Sequence, residues 1–138
     1  MQDQSTATNT DQDVRNDEAS STLAQISRAM VRLYKEQFGR GPTRARTDWC
    51  GQDLIVCTLE DTLTPTERNL RSLGEDQRLR DIRTLFQYAS AQQFIEPVEE
   101  ITGRRVRSFI SGIDTAKDIS VETFVLYPDG DGADGSEP

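Results

Sequence analysis

The sequence contains no histidine. The commonest general base and metal ligand is therefore missing, and the Ser-His-Asp and Cys-His devices for nucleophilic catalysis are excluded with it. Cysteine is scarce too. Cys50 and Cys57 are too few for a disulfide framework and, without histidine, do not make a zinc site. They are not cross-strand partners in the hairpin drawn below, so they read as free thiols. No apolar run approaches the roughly 20 residues of a membrane span, and no charged-then-apolar leader opens the chain. A cytoplasmic protein with no direct membrane insertion is expected. The acids Glu60-Asp61 and Glu99-Glu100 are sequence neighbours, so neither pair points one way as a catalytic dyad must; both read as solvated. No catalytic constellation remains. The chain reads as a non-enzyme with no metal and no cofactor.

Lysine is the next shortage: only Lys35 and Lys117 stand against 14 arginines. A salt-rich, halophilic cytoplasm and a GC-rich genome both produce that bias. The net charge of −8 and mean hydropathy of −0.67 are unevenly distributed. Residues 1–20 and 128–138 each carry a net −4, and residues 21–127 are neutral. The two acidic tails lack large apolar side chains and cannot offset their chain entropy by burial, so both are expected to be disordered around one domain, 21–127.

Within that domain, Ser21 or Thr22 can cap a first helix whose stripe is Leu23, Ile26, Met30 and Leu33, with Gly39 as its left-handed stop. Arg28, Arg32 and Lys35 line its polar face. A hairpin follows, Arg44–Trp49 and Leu54–Leu59, turning through Cys50-Gly51-Gln52-Asp53 with Trp49 opposite Leu54. That register puts Arg44, Arg46, Asp48, Ile55, Cys57 and Leu59 on one face. Thr64-Pro65-Thr66-Glu67 is a capping box with proline at the first helical position, and the helix it opens ends at Gly74. A longer helix, Glu75–Thr102, carries Leu79, Ile82, Phe86, Ala89, Phe94, Val98 and Ile101 as apolar positions and should bend or divide near Glu96 because of Pro97. Gly103 stops it. The second hairpin, Arg105–Ile110 and Asp118–Tyr127, sets Arg105, Arg107 and Phe109 on one face, with Phe124 and Leu126 on its return strand. The fold class is α+β: a two-layer domain in the order helix, hairpin, helix, helix, hairpin, with four mainly antiparallel strands.

The run Gly39-Arg40-Gly41-Pro42-Thr43-Arg44-Ala45-Arg46 packs three arginines beside two glycines. It follows a helix instead of opening one and lacks a Gly-Lys-Ser/Thr ending, so it is not a phosphate loop. Either its arginines pair with acids such as Asp48 or Glu60, or Arg40, Arg44 and Arg46 bind an anion or a partner. Arg104, Arg105 and Arg107 stand at the matching place after Gly103. Indeed Glu36-Gln37-Phe38-Gly39-Arg40 echoes Glu100-Ile101-Thr102-Gly103-Arg104, as an internal duplication would, or as two ordinary helix-Gly-strand junctions would. The face holding Ile55, Cys57, Leu59, Phe109, Phe124 and Leu126 is too apolar for open water. The long helix, a second subunit or a ligand would cover it. A homodimer interface there is expected, and an Arg/Phe sheet face that grips RNA or a nucleotide is the alternative. The tail Asp129-Gly130-Asp131-Gly132-Ala133-Asp134 has Ala133 and an out-of-register Asp where a calcium loop needs ligands, and no closing Glu.

The string Ile26 to Arg46, with Leu63-Thr64-Pro65-Thr66-Glu67, Glu99-Glu100-Ile101-Thr102-Gly103-Arg104 and Glu122-Thr123-Phe124-Val125-Leu126, resembles the MpsC-type family. That family, formerly classed as a domain of unknown function, is named for a sodium-translocating, membrane-potential-generating system. The resemblance spans residues 22–127. It implies a soluble accessory or regulatory part of an ion or inorganic-carbon transport system, with a membrane transport protein as partner, and it supplies no catalytic residues.

Overall fold

A computed structural model describes residues 7–129, with side chains from Ser21 onward. The calcium-like tail motif, apart from Asp129, and residues 1–6 lie outside the described residues. The elements run α1 (Ala7–Phe38), β1 (Arg44–Trp49), β2 (Leu54–Glu60), α2 (Pro65–Ser72), α3 (Asp76–Ala89), α4 (Ala91–Thr102), β3 (Val106–Asp114) and β4 (Ile119–Leu126). The fold is α+β, with one antiparallel sheet in the order β1-β2-β4-β3.

Helix α1 starts at Ala7, well ahead of the expected Ser21 or Thr22. Residues 7–20 hold neither proline nor glycine, so nothing in them stops a helix from extending toward the N-terminus. Gly39 ends it at φ +83 and Gly103 ends α4 at φ +71. The capping box is present as read: Thr64 Oγ1 accepts from the Glu67 amide and Glu67 Oε1 accepts from the Thr64 amide. The expected long helix is divided at Ser90, not at Pro97, which sits inside α4. The single-residue break at Ser90 lets α4 lay Phe94 and Val98 into the core.

Two register findings reassign the sheet faces. Trp49 pairs with Ile55, not Leu54. A slip of one residue turns every side chain of a strand to the other face. Ala45, Thr47 and Trp49 therefore share a face with Ile55, Cys57 and Leu59, while Arg44, Arg46 and Asp48 point to the solvent side. In β3 the pairing shifts between Val106 and Ser108, so Val106 and Phe109 both face inward and Arg107 is exposed.

The inner face is covered by the chain's own helices. Ile55, Cys57, Leu59, Phe109, Phe124 and Leu126 join Ile26, Met30, Tyr34, Phe94 and Val98 in one buried cluster. Edge-to-face and stacked rings run through it, Tyr34 to Phe94 at 6.1 Å, Phe94 to Phe109 at 5.5 Å and Phe109 to Phe124 at 5.3 Å. Each large side chain buried this way contributes about 1.5–3 kcal/mol. The six residues expected at a dimer interface are core residues of a single copy.

Helix α3 departs furthest from its apolar pattern. It buries Leu79, Arg83 and Gln87, and leaves Ile82 (41% exposed), Leu85 (67%) and Phe86 (55%) in solvent. Its inward stripe is mostly polar because the sheet beneath it is polar there.

Candidate functional site

Three groups of side chains hold the chemistry of this chain. The first is the set of junction arginines. Arg40 donates to the carbonyls of Asp61 (2.9 Å) and Leu63 (2.8 Å) and to the Asp61 carboxylate (3.2 Å), which Arg68 also reaches at 3.1 Å. The Arg40 hydrogen bond and the two positive charges hold the Asp61 carboxyl below the usual carboxylate range. Arg104 donates to the carbonyls of Gln52 (2.8 Å) and Tyr127 (2.6 Å), and pairs with Asp53 and Asp129. Both are occupied within the fold and are not free to hold a ligand. Arg46 pairs with Asp48 at 3.0 Å on the exposed face, one of the pairings its sequence allows. Arg107 is exposed on the β3 bulge, and the Arg105 carbonyl accepts from the Tyr127 amide. The expected arginine set is thus dispersed. With Phe109 and Phe124 buried and Arg44, Arg46 and Arg107 on the other side, the sheet has no Arg/Phe face for stacking bases.

The second group lies beneath α3. Glu122, fully buried on β4, accepts at Oε2 from the Tyr34 hydroxyl (2.5 Å) and the Gln87 amide (2.5 Å). Gln87 also donates to the Tyr34 oxygen at 2.9 Å. Arg83, 2% exposed, binds Glu67 bidentately at 2.7 and 2.6 Å, donates to the Thr62 carbonyl at 2.9 Å, and lies 3.8 Å from the Phe38 ring centre. Burial pushes the Glu122 carboxyl up to about 7, against the hydrogen bonds from Tyr34 and Gln87 that favour its charge. Burial and then the nearby Glu122 charge push the Tyr34 phenol well above its ordinary value. Burial also raises Glu67, but the Arg83 and Thr64 hydrogen bonds outweigh it and hold that carboxyl low. Burial takes the Cys57 thiol to about 12, so Cys57 is inert. Sequence reasoning missed this cluster. Its signal was the i, i+4, i+8 stripe Leu79, Arg83, Gln87 together with Glu122 on the inward alternation of β4.

The third group is an open cleft of about 520 Å³ between α1 and the edge strand β1, lined by Ser27, Val31, Pro42, Thr43 and Ala45 and by the four cations Arg28, Arg32, Lys35 and Arg44. Arg28, Arg32 and Lys35 are spaced i, i+4, i+7 and so share one face of α1. The loop after α1 closes on that face because residue 41 is glycine: a Cβ there would meet Val31 Cγ1 at 3.3 Å. No carboxylate lines the cleft, and none of its four cations makes an ion pair with another described residue. Of the arginines singled out from the sequence, Arg44 alone lies in it.

The family model for the Na+-translocating membrane potential-generating system (MpsC) matches residues 18–127. The chain belongs to the MpsC family. The uncharacterized protein YrhF of Bacillus subtilis (strain 168) is 28% identical over 109 residues, which cover 78% of this chain and 88% of that protein. No solved structure matches. The matched MpsC region contains the sheet, all four cations of the cleft and the Glu122 cluster. Among the described residues no helix is long and apolar enough to cross a membrane, and no group of three or more His, Cys, Asp or Glu side chains could hold a metal ion.

Proposed function

We propose that this MpsC chain is a non-enzymatic accessory protein of a sodium-translocating membrane system, and that it docks by seating an acidic, extended segment of a membrane transport protein in the α1/β1 cleft. The observation that carries this reading is the cleft itself: four cations, no lining carboxylate and no ion pair to another described residue, on a chain whose net charge is −8. Complementary charge steers a partner to such a place and rejects like-charged competitors. The apolar floor of Val31, Pro42 and Ala45 gives side chains between the acids somewhere to bury. β1 is an edge strand, so its outward backbone groups can pair with an added strand beside the cleft. The non-enzymatic part of the reading is supported by the lack of histidine and by the sealing of Glu122, Tyr34 and Arg83 away from any substrate.

The test is capture from detergent-solubilised membranes of the source cell by the full chain and by its Arg28→Glu/Arg32→Glu variant, both residues being exposed. The wild type should retain a membrane transport protein, and retention should fall with added salt. The variant should melt as the wild type does and retain none. Equal capture by both would refute the cleft as the docking site. Co-eluting nucleic acid lost in the variant would assign the cleft to phosphate instead of acidic peptide.

A further inference from the structure

The helices cover one face of the sheet and leave the other bare. An antiparallel sheet with one face in water normally points its apolar side chains in and its polar ones out. This sheet departs from that along β4, which turns Ser120 and Glu122 inward beside Phe124 and Leu126, and Ile119, Val121 and Val125 outward. With Leu54 and Val56 of β2 and Ile110 of β3, these make an aliphatic surface of six side chains that no helix covers, five half-buried by their neighbours and Ile110 53% exposed. Four strands about 4.8 Å apart and seven residues long at about 3.4 Å each give it roughly 450 Å².

We propose that this face binds a second copy of the chain, sheet on sheet, about a two-fold axis that lies across the strands. The register of the sheet makes the face complementary to itself about that axis. One outward row is Arg46, Thr58, Val121, Gly112; the next is Asp48, Val56, Thr123, Ile110. An axis midway between them lays each row over the other row of the second copy. Arg46 then meets the partner's Asp48, and Asp48 the partner's Arg46. Within one copy that pair is exposed on both sides (77% and 52%) and contributes little alone. Between copies it becomes a reciprocal network of four charges. Ile110, the most exposed aliphatic side chain of the face, falls on the partner's Gly112, where a Cβ would meet nothing within 4 Å. Thr58 and Val121 fall on Val56 and Thr123, and Ile119 of the next row falls on Val125. Glu60, in the row of Ile119, falls on the partner's Leu54 and has Arg44 as its cross-strand neighbour.

The competing two-fold axis, along the strands, brings different charges together, and the Arg46/Asp48 swap tells the two apart. It places Asp48 over Ile110 and Arg46 over Gly112, so that pair meets no charge of the partner, and it sets Arg44 over the partner's Asp114 instead. Two faces of roughly 450 Å² bury about 900 Å² before side-chain relief is counted, short of the ~1,200 Å² of a stable interface and in the range of a weak, reversible one. The pairing keeps strand directions within the ~30° typical of packed sheets.

The experiment is sedimentation equilibrium of the full chain at concentrations from about 1 to 100 µM. The wild type should approach twice the 15.5 kDa chain mass. Gly112→Val fills the partner's socket with a β-branched residue suited to a strand, and its Cβ meets nothing within 4 Å in its own chain. It should melt as the wild type does while its dissociation constant rises at least about tenfold. Arg46→Asp should weaken the dimer as well, and adding Asp48→Arg should restore it, because the swapped charges meet again across the axis. The charge swap decides the matter even if Gly112→Val fails to fold. A wild type that stays monomeric at 100 µM overturns the proposal, and so does a dimer indifferent to both substitutions.

Discussion

Replacing Glu122 with glutamine should stabilise this protein above neutral pH. Glu122 is fully buried, and its carboxyl titrates near 7 in the fold against 4.5 for the free side chain. The folded state therefore holds a proton that the unfolded chain releases between those two values. The stability this supplies is complete below pH ~4.5 and is lost as pH rises through ~7. At about 1.4 kcal/mol per pKa unit, the loss by pH 8 is on the order of 3 kcal/mol. Glutamine never ionises. Its carbonyl can still accept from Tyr34 and Gln87. Thermal melts from pH 5 to pH 8.5 at fixed salt should show the wild type losing stability across neutrality while Glu122→Gln does not. At pH 8 the variant should melt about 10 °C higher, since ~1 kcal/mol moves a domain of this size by roughly 4 °C. Subtracting the two profiles removes the other carboxylates. Asp61 and Glu67 act in the opposite sense, because their lowered pKa values give stability that is lost as pH falls through the acidic range. Parallel profiles, or a variant no more stable than wild type at pH 8, would refute the assignment of a neutral-range titration to this buried carboxyl.

Two further outcomes test the unusual orientation of α3. Arg83→Lys keeps the charge but cannot reproduce the bidentate fork on Glu67 with the third bond to the Thr62 carbonyl; a loss of about 2–3 kcal/mol in urea unfolding is expected, and a loss under 0.5 would mean Arg83 is not buried as described. Leu85→Ser/Phe86→Ser should leave the melting temperature within about 2 °C of wild type, since both side chains are more than half exposed; a collapse in stability would place the apolar stripe of α3 in the core.

Local chemistry was legible in the sequence, and long-range pairing was not. The Thr64-Glu67 capping box and the two glycine stops need only neighbours along the chain, and they stand where the residues put them. The first hairpin failed by one residue: both ends of its turn, Cys50 and Leu54, are compatible with either register. The actual one is closed by the Cys50 amide on the Leu54 carbonyl at 2.8 Å. That slip carried Arg44 and Arg46 to the solvent side and removed the mixed Arg/apolar face. The bulge at β3 has no composition cue. Helix α3 misled because periodicity counts apolar side chains alone. Arg83 and Gln87 are turned inward by Glu67, Tyr34 and Glu122, partners brought close only by the fold. The cleft was half legible: Arg44 and the polar stripe of α1 were both visible, but their convergence depends on the close approach at Gly41.

The two Gly-Arg junctions gain a common physical account from their contacts. Each arginine follows a left-handed glycine that ends a helix and then reaches the chain just past the hairpin it introduces. Arg40 binds the carbonyls of Asp61 and Leu63 beyond β2, and Arg104 binds the carbonyl of Tyr127 beyond β4. A strand end that leaves the sheet carries carbonyls with no ladder partner, and a planar five-donor fork can collect several of them at once. Lysine, a point charge on a flexible stem, fits that task poorly. The sheet order repeats the same relation. β2 and β4, the return strands of the two hairpins, pair at the centre, and β1 and β3 lie at the edges with α1 and α4 packed against them. The echo of Glu36–Arg40 in Glu100–Arg104 therefore marks equivalent places in two helix-hairpin units, whether or not they share an ancestor. In both, the glycine sets the exit angle and the arginine clasps the far end. The two contacts proposed above, in the α1/β1 cleft and on the bare sheet face, use side chains the clasps leave free.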